Sequence, residues 1–291
     1  MRQDEMWMGT LCNGQARWVA ARTTHTVEEA RIRHQAAPAA IAALGRLMTG
    51  TLLLGATFKN AGDITARLLS DGPLRGALAV GNRLGQVRAY AQNPQADAPP
   101  KRPGKLDVAA VVGQGEFAVS RPMDNGAYYT GTVPIISGEI AEDFAHYLLH
   151  SEQIPSAVLL GVLVETDLHV AGSGGLLLQP LPEADESTLQ ALEACVARLG
   201  AGISVLVAED EDMSAYVDRC MGTLPYRVQE KTSVQFTCSC AKQKLTDVLA
   251  SLGDEELANL IAQGEAEVVC HFCNERYLFS REELLKIRSA D

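Results

Sequence analysis

Four cysteines crowded near the C-terminal end of the chain constrain its fold more than any other feature. One residue separates Cys238 from Cys240, two separate Cys270 from Cys273, and 29 lie between the pairs. Residues at alternate positions on a strand point to one face, so Cys238 and Cys240 can approach one ion together. A Cys-x-x-Cys knuckle does the same for Cys270 and Cys273. Four thiolates make a closed tetrahedral site of the kind zinc occupies. The spacing therefore predicts one Zn2+ held by Cys238, Cys240, Cys270 and Cys273. His271, inside the knuckle, is expected to be a neighbour and not a ligand, because four sulfurs already fill the shell.

A unit of about sixty residues, 232–291, rarely has a sufficient core of its own. Structural zinc contributes on the order of 10–16 kcal/mol in small zinc peptides, so its loss is expected to unfold this segment. Zn–S bonds near ~2.3 Å set neighbouring sulfurs roughly 3.7 Å apart, whereas a disulfide needs about 2.05 Å. No sulfur pair satisfies both, so forming disulfides within the pairs ejects the metal. Zinc also keeps the sulfurs as thiolates, the oxidisable form. An oxidant can thus turn a folded zinc domain into an unfolded one. Most tetrathiolate sites are nonetheless structural staples, and spacing alone leaves staple and switch both open.

The remaining cysteines, Cys12, Cys195 and Cys220, are scattered and read as small buried hydrophobes. Seven is an odd number, which argues against a fully paired secreted framework. A clustered set in a reducing compartment more often binds metal than forms static disulfides. The segment 1–14 lacks an apolar run of signal-peptide length. The longest apolar stretch, 36–58, is interrupted by Pro38 and Arg46 and falls short of a membrane span. The chain is read as cytoplasmic, with no membrane partner. Its formal charge of −11 disfavours nucleic acid, whose binding rests on Lys and Arg. Lys101, Arg102 and Lys105, around Pro103 and Gly104, read as a solvated loop.

The pattern along the chain predicts an α+β fold with three parts: 1–179, 180–231 and 232–291. In the first, 6–23 reads as strands turning at Asn13-Gly14. Helical character extends from Thr26 to about Lys59, with a break at Pro38. Short strand-like runs come next, at 63–70, 74–80, 86–91, 115–121 and 128–135. The last two flank Asp124-Asn125-Gly126, a hairpin signal. A helix over 137–151 carries Ile140, Phe144, Tyr147 and Leu148 on one face, and 157–164 and 169–179 close a mostly antiparallel sheet. Composition shifts after Gln179, and 181–231 holds ten acids and four bases. Leu189, Leu192, Val196 and Leu199 form a helical stripe, and 210–221 reads as a second helix. This segment is either a plain helical connector or a linker whose folding depends on its neighbours. The last part reads as strand 233–240, helices 242–252 and 254–263, strands 267–269 and 276–279, and a helix from Arg281 to Ile287 announced by Ser280, Glu282 and Glu283.

Several features invite chemistry and are set aside. His146 and His150 share a helix face with Glu142 but lack the His-Glu-x-x-His order of a zinc protease. The glycines of 172–175 lack the Lys-Ser/Thr ending of a phosphate loop and read as a bulge or turn between strands. Ser173 is outside Gly-x-Ser-x-Gly spacing.

The segments 236–240 (Phe-Thr-Cys-Ser-Cys), 252–257 (Leu-Gly-Asp-Glu-Glu-Leu) and 267–279 (Glu-Val-Val-Cys-His-Phe-Cys-Asn-Glu-Arg-Tyr-Leu-Phe) resemble the zinc domain of the redox-regulated heat-shock chaperones, the 33 kDa chaperonin family. The stretches 72–76, 137–144 and 151–156 are similar to the family as well, so the resemblance covers essentially the whole chain. It implies an ATP-independent holdase and not an enzyme, inactive while reduced and zinc-bound. It further implies that oxidation forms Cys238–Cys240 and Cys270–Cys273 disulfides, releases zinc, unfolds the zinc domain and the 180–231 linker, and yields a homodimer that binds unfolding proteins. The first part would then serve client binding and dimerisation. Leu189, Leu192, Val205 and Leu206 are the expected client-contacting positions. Two other classes stay in play: a zinc-ribbon nucleic-acid binder, disfavoured by charge, and a thiol–disulfide oxidoreductase using Cys270 and Cys273, disfavoured by the second cysteine pair.

Overall fold

The computed structural model describes residues 3–59, 62–102, 104–200, 202–210 and 212–289; Met1, Arg2, Asn60, Ala61, Pro103, Ala201, Glu211, Ala290 and Asp291 lie outside them. The chain divides into two compact units, Met1–Thr237 and Cys238–Asp291.

In the first unit, strands β1 (Glu5–Leu11) and β2 (Ala16–Arg22) form the expected hairpin, with Asn13 in the left-handed region at the turn. Helix α1 (Thr24–His34) begins two residues before Thr26 and ends at Gln35, also left-handed. Pro38 does not kink a long helix: it sits in the first turn of α2 (Pro38–Thr57), where its missing N–H costs nothing. By length and composition α2 could cross a membrane, so the expectation that no stretch reaches that length is corrected. Nearly all of it is buried in this unit, and Arg46 reaches Glu139 at 2.7 Å.

Strands β3 (Ile64–Ser70), β4 (Gly76–Gly81) and β5 (Gln86–Ala91) precede a short helix α3 (Val108–Val112), which the sequence did not suggest. Then come β6 (Gly115–Pro122), β7 (Tyr128–Pro134), α4 (Ala141–His150), β8 (Ala157–Val164) and β9 (Val170–Pro180). The helix expected from Ser137 starts at Ala141. The turn before it is held by buried Asp143, whose carboxylate accepts the amides of Ile136, Ser137 and Ile140 at 2.9, 3.1 and 2.9 Å. Residues 172–175 are not a turn; they lie inside β9.

Helices α5 (Glu186–Leu199), α6 (Ile203–Glu209) and α7 (Met213–Met221) come next, then β10 (Tyr226–Ser233) and β11 (Gln235–Phe236). The expected strand 233–240 is thus corrected: pairing ends by Phe236. Strand β10 bonds antiparallel to β1, which carries the residues shortly before the four-cysteine segment into the first unit's sheet.

Among the described residues this unit forms two sheets and not the one expected. The first runs β10-β1-β2-β9-β8, all antiparallel; the second runs β11-β5-β4-β3-β6-β7, antiparallel but for the parallel β11–β5 pair. Helix α2 packs against β2, β8 and β9 on one side and β3, β4 and β5 on the other. Alternation along the strands then gives the first sheet two buried faces. Val19, Ala21 and Leu177 point into the α2 core. Trp18, Ala20, Leu176 and Leu178 point into a second core roofed by α5–α7. Gly161 and Gly172 let α6 approach: a Cβ at either would collide with the backbone of Ser204.

Candidate metal centre

The second unit builds its site from a hairpin and the chain that enters it. Strands β12 (Glu265–Val269) and β13 (Arg276–Ser280) pair antiparallel, with Val269 opposite Arg276, so residues 270–275 form the tip. Cys270 N donates to Glu275 O at 2.9 Å, and Asn274 N returns to Cys270 O at 2.8 Å. Asn274 takes a positive φ of 59°, a conformation asparagine tolerates, and this tightens the knuckle. Cys238 and Cys240 come in on an extended segment outside any strand, immediately before helix α8 (Lys242–Ala250).

Helix α9 (Asp254–Gln263) carries three acids in its first turn, where they oppose the positive end of the helix dipole. Helix α10 (Arg281–Ser289) opens with a capping box. Glu283 accepts from Ser280 N at 2.9 Å, and Ser280 Oγ accepts from Glu283 N at 3.4 Å. Lys242 reaches the same Glu283 at 2.7 Å and ties the starts of α8 and α10 together. Among the described residues the apolar core has seven buried members: Leu249, Leu257, Ile261, Ala266, Phe279, Leu284 and Ile287.

The sulfurs of Cys238, Cys240, Cys270 and Cys273 all lie within 4.8 Å of one another. The Cys238–Cys270 separation is 3.7 Å and the Cys240–Cys273 separation 3.3 Å. Cys273 is buried and the other three are half-buried. Burial pushes the Cys238 and Cys273 thiols above their ordinary value. Burial opposes ionisation of Cys240 too, but the Tyr277 hydroxyl, 3.2 Å from its sulfur, and the neighbouring thiols bring it below the ordinary value. Four sulfurs this close resist ionising together unaided. A cation among them would supply the missing charge, and four soft sulfurs this close are a donor set of the kind zinc takes.

The structure thus brings all four sequence-predicted cysteines together. It adds Tyr277, which spacing arguments could not reach: it lies on β13 and meets Cys240 only through the fold. Of the other cysteines, Cys195 and Cys220 are buried and Cys12 is half-buried, all against the second core of the first unit. His146 and His150 stack with ring centroids 4.2 Å apart, and neither belongs to a metal-competent cluster among the described residues. Leu192 is buried under the α5–α7 roof and Leu206 packs against that core, whereas Leu189 and Val205 are already exposed.

A family model described as Hsp33 protein matches residues 4–280. The chain is 43% identical to the 33 kDa chaperonin of Desulforamulus reducens over 98% of this chain and 97% of that one. It is 39% identical to that of Bacillus subtilis, over 95% of each. The crystal structure of the 33 kDa chaperonin (heat shock protein 33 homolog) from Thermotoga maritima superposes with a TM-score of 0.91, covering 100% of both chains at 33% identity.

Proposed function

This chain belongs to the Hsp33 family, and from that premise we propose that it is a redox-regulated, ATP-independent chaperone that holds unfolding proteins during oxidative stress. The observation that carries the reading is the meeting of four sulfurs within 4.8 Å in a unit whose core, among the described residues, has seven buried side chains. Zinc, when bound, would supply the charge that keeps Cys238, Cys240, Cys270 and Cys273 as thiolates. Each pair of thiolates gives two electrons to one peroxide, whose O–O bond breaks; one disulfide forms per pair, and two hydroxides leave and take protons from the solvent. Sulfurs at bonding distance cannot also ligate in tetrahedral spacing, so the ion departs and the unit loses its staple.

In the assembled site sulfurs of different pairs stand close, Cys238 3.7 Å from Cys270 and Cys240 3.3 Å from Cys273. The proposed Cys238–Cys240 and Cys270–Cys273 pairing is therefore favoured by chain entropy once the metal has gone. In the unfolded unit a contact 32 residues apart, such as Cys238 with Cys270, costs on the order of 2 kcal/mol more closure entropy than a near-neighbour contact.

Opening of α5–α7 would then uncover Trp7, Trp18, Leu176 and Leu178, a continuous apolar face fit for unfolded chains. Cytoplasmic location, a homodimeric active form and the absence of nucleic-acid and membrane partners belong to the same reading. An oxidoreductase is disfavoured because Cys270 and Cys273 share their cluster with a second pair, Cys238 and Cys240, as a metal site requires and a lone redox dithiol does not.

The test is light scattering of a heat-aggregating client, with the chain added reduced and zinc-loaded or peroxide-oxidised, and zinc followed with a chromogenic chelator. Suppression confined to the oxidised, zinc-free chain is the expected result. Equal suppression by both forms, or none by either, would reduce the four-cysteine site to a structural staple.

A further inference from the structure

The second core of the first unit holds two thiols that the four-cysteine site does not use. Cys195 lies on α5 and Cys220 on α7, and both are buried. They are neighbours: Cys195 Sγ donates to the carbonyl oxygen of Cys220 at 3.2 Å. Arg198, one turn after Cys195, bridges the same two helices. Its guanidinium donates to Cys220 O at 2.6 Å and to Arg219 O at 2.9 Å, and lies 3.7 Å from Cys195 Sγ. The end of α5 is thus fastened to the end of α7 by a cation and a thiol around one peptide group.

We propose that Cys195 and Cys220 are a masked thiol pair, shut in the closed chain and oxidised by peroxide to a Cys195–Cys220 disulfide once α5–α7 lift from the sheet. The inference deepens the redox reading above and rests on it for the opening step. Closed, the pair is doubly protected. Water and oxidant lack access, and burial drives the Cys220 thiol up to about 12, leaving roughly a thousandth of the thiolate that its ordinary value would give. Burial raises Cys195 as well, against the pull of Arg198. Opening removes the burial penalty from both and leaves Arg198 three residues from Cys195, where its charge favours the thiolate.

In the reaction the two thiols give up two protons and two electrons, the peroxide O–O bond breaks, and two waters leave. The product joins positions 25 apart and holds α5 beside α7 with α6 in the loop between them. Full unfolding of the segment is thereby restrained during prolonged oxidation. Cys12, on the hairpin beneath the same roof, is the competing partner that the experiment must separate.

The test uses the full-length chain. Reduced and zinc-loaded, it is pulsed with N-ethylmaleimide, and labelling at Cys195 and Cys220 is expected to run at least about 100-fold slower than in concentrated guanidinium. Heated with peroxide, it is digested without reduction and mapped by mass spectrometry while zinc release is followed in the same samples. A Cys195–Cys220 linked peptide that appears only after zinc release supports the inference. A parallel sample is opened with moderate guanidinium and then given peroxide, which tests the pair without the zinc switch. A link in that sample, with no zinc release by peroxide alone, would uphold the pair and sink the switch. Free Cys195 and Cys220 thiols after guanidinium and peroxide would overturn the inference. So would a Cys12 cross-link in their place, or linkage as fast in the closed chain as in the open one.

Discussion

Arg22 is the side chain whose removal best separates the α5–α7 roof from the rest of the first unit. It stands at the end of β2, 2% exposed, and its guanidinium donates to Asp210 O at 2.9 Å, with longer contacts to Asp212 O at 3.4 Å and Val207 O at 3.5 Å. These carbonyls belong to the end of α6 and the start of α7, so one cation satisfies the exit of one helix and the entry of the next. In Arg22→Met the chain volume is nearly kept and no large cavity forms. The loss is one good charged-donor bond, worth about 1.5–3 kcal/mol, partly offset because a cation no longer has to be buried. A net cost of about 2 kcal/mol raises the open population of α5–α7 roughly 30-fold. Native-state hydrogen exchange reads this directly: α5–α7 amides should exchange about 30-fold faster, while those of α2 keep their protection. The same variant should suppress client aggregation at a lower peroxide dose than the unmodified chain. Equal acceleration in α2 and α5–α7 would mean that Arg22 supports the whole unit. Unchanged exchange in α5–α7 would mean that it does not hold the roof at all. Either result refutes the argument.

Three other contacts give outcomes of their own. Cys273→Ser takes one soft donor from the buried corner of the site, and the variant is expected to lose zinc to a competing chelator at least about 100-fold more readily, with the helical circular dichroism of the second unit falling in step. Tyr277→Phe removes only the hydroxyl 3.2 Å from Cys240 Sγ; zinc stoichiometry should stay at one while affinity falls about 10- to 100-fold in the same competition. Glu139 is pushed up by burial but held below its ordinary value overall by Arg46, so its contribution is present above the ordinary carboxylate range and is lost as pH falls through the lowered folded value. Glu139→Gln should therefore cost about 1 kcal/mol in urea melts at pH 7, and the difference should shrink towards zero on acidification.

What could be read from the sequence was what local chemistry fixes. Helix 254–263 appears with the expected bounds because three acids start it and Gly264, at positive φ, ends it. The 124–126 turn and the stripe of Leu192, Val196 and Leu199 are likewise set by residues a few positions apart. The four cysteines were legible for the same reason, each pair being its own local signal. Strand β10 was not legible: in Tyr226–Ser233 most side chains are exposed and charged or polar, and no alternation marks it. It exists because β1 offers an edge to pair with, a partner more than two hundred residues away. Helix α6, at seven residues with Val205 and Val207 in it, is too short to show a period. The glycines of 172–175 look like a turn until α6 is placed against them.

The two-faced sheet also explains how part of this unit can open while the rest holds. Strands β2 and β9 carry runs of consecutive apolar residues, Trp18 to Ala21 and Leu176 to Leu178, because successive side chains serve different cores. Among the described residues, the α2 core takes no member from α5, α6 or α7, so lifting that roof removes no side chain from it. The backbone ladder of β2 and β9 needs nothing from the roof either, since its partners are β1 and β8. The cost of opening then falls on the second core and on polar ties that cross into it, among them Arg22 to Asp210, Tyr216 to Gly175, Gln15 to Asp185 and Tyr226 to Asp218. Each of these four joins the roof to β2, β9, β10 or the β1–β2 turn. The free energy of this local opening is therefore set by a separable group of contacts, and substitutions there can tune it while the fold persists.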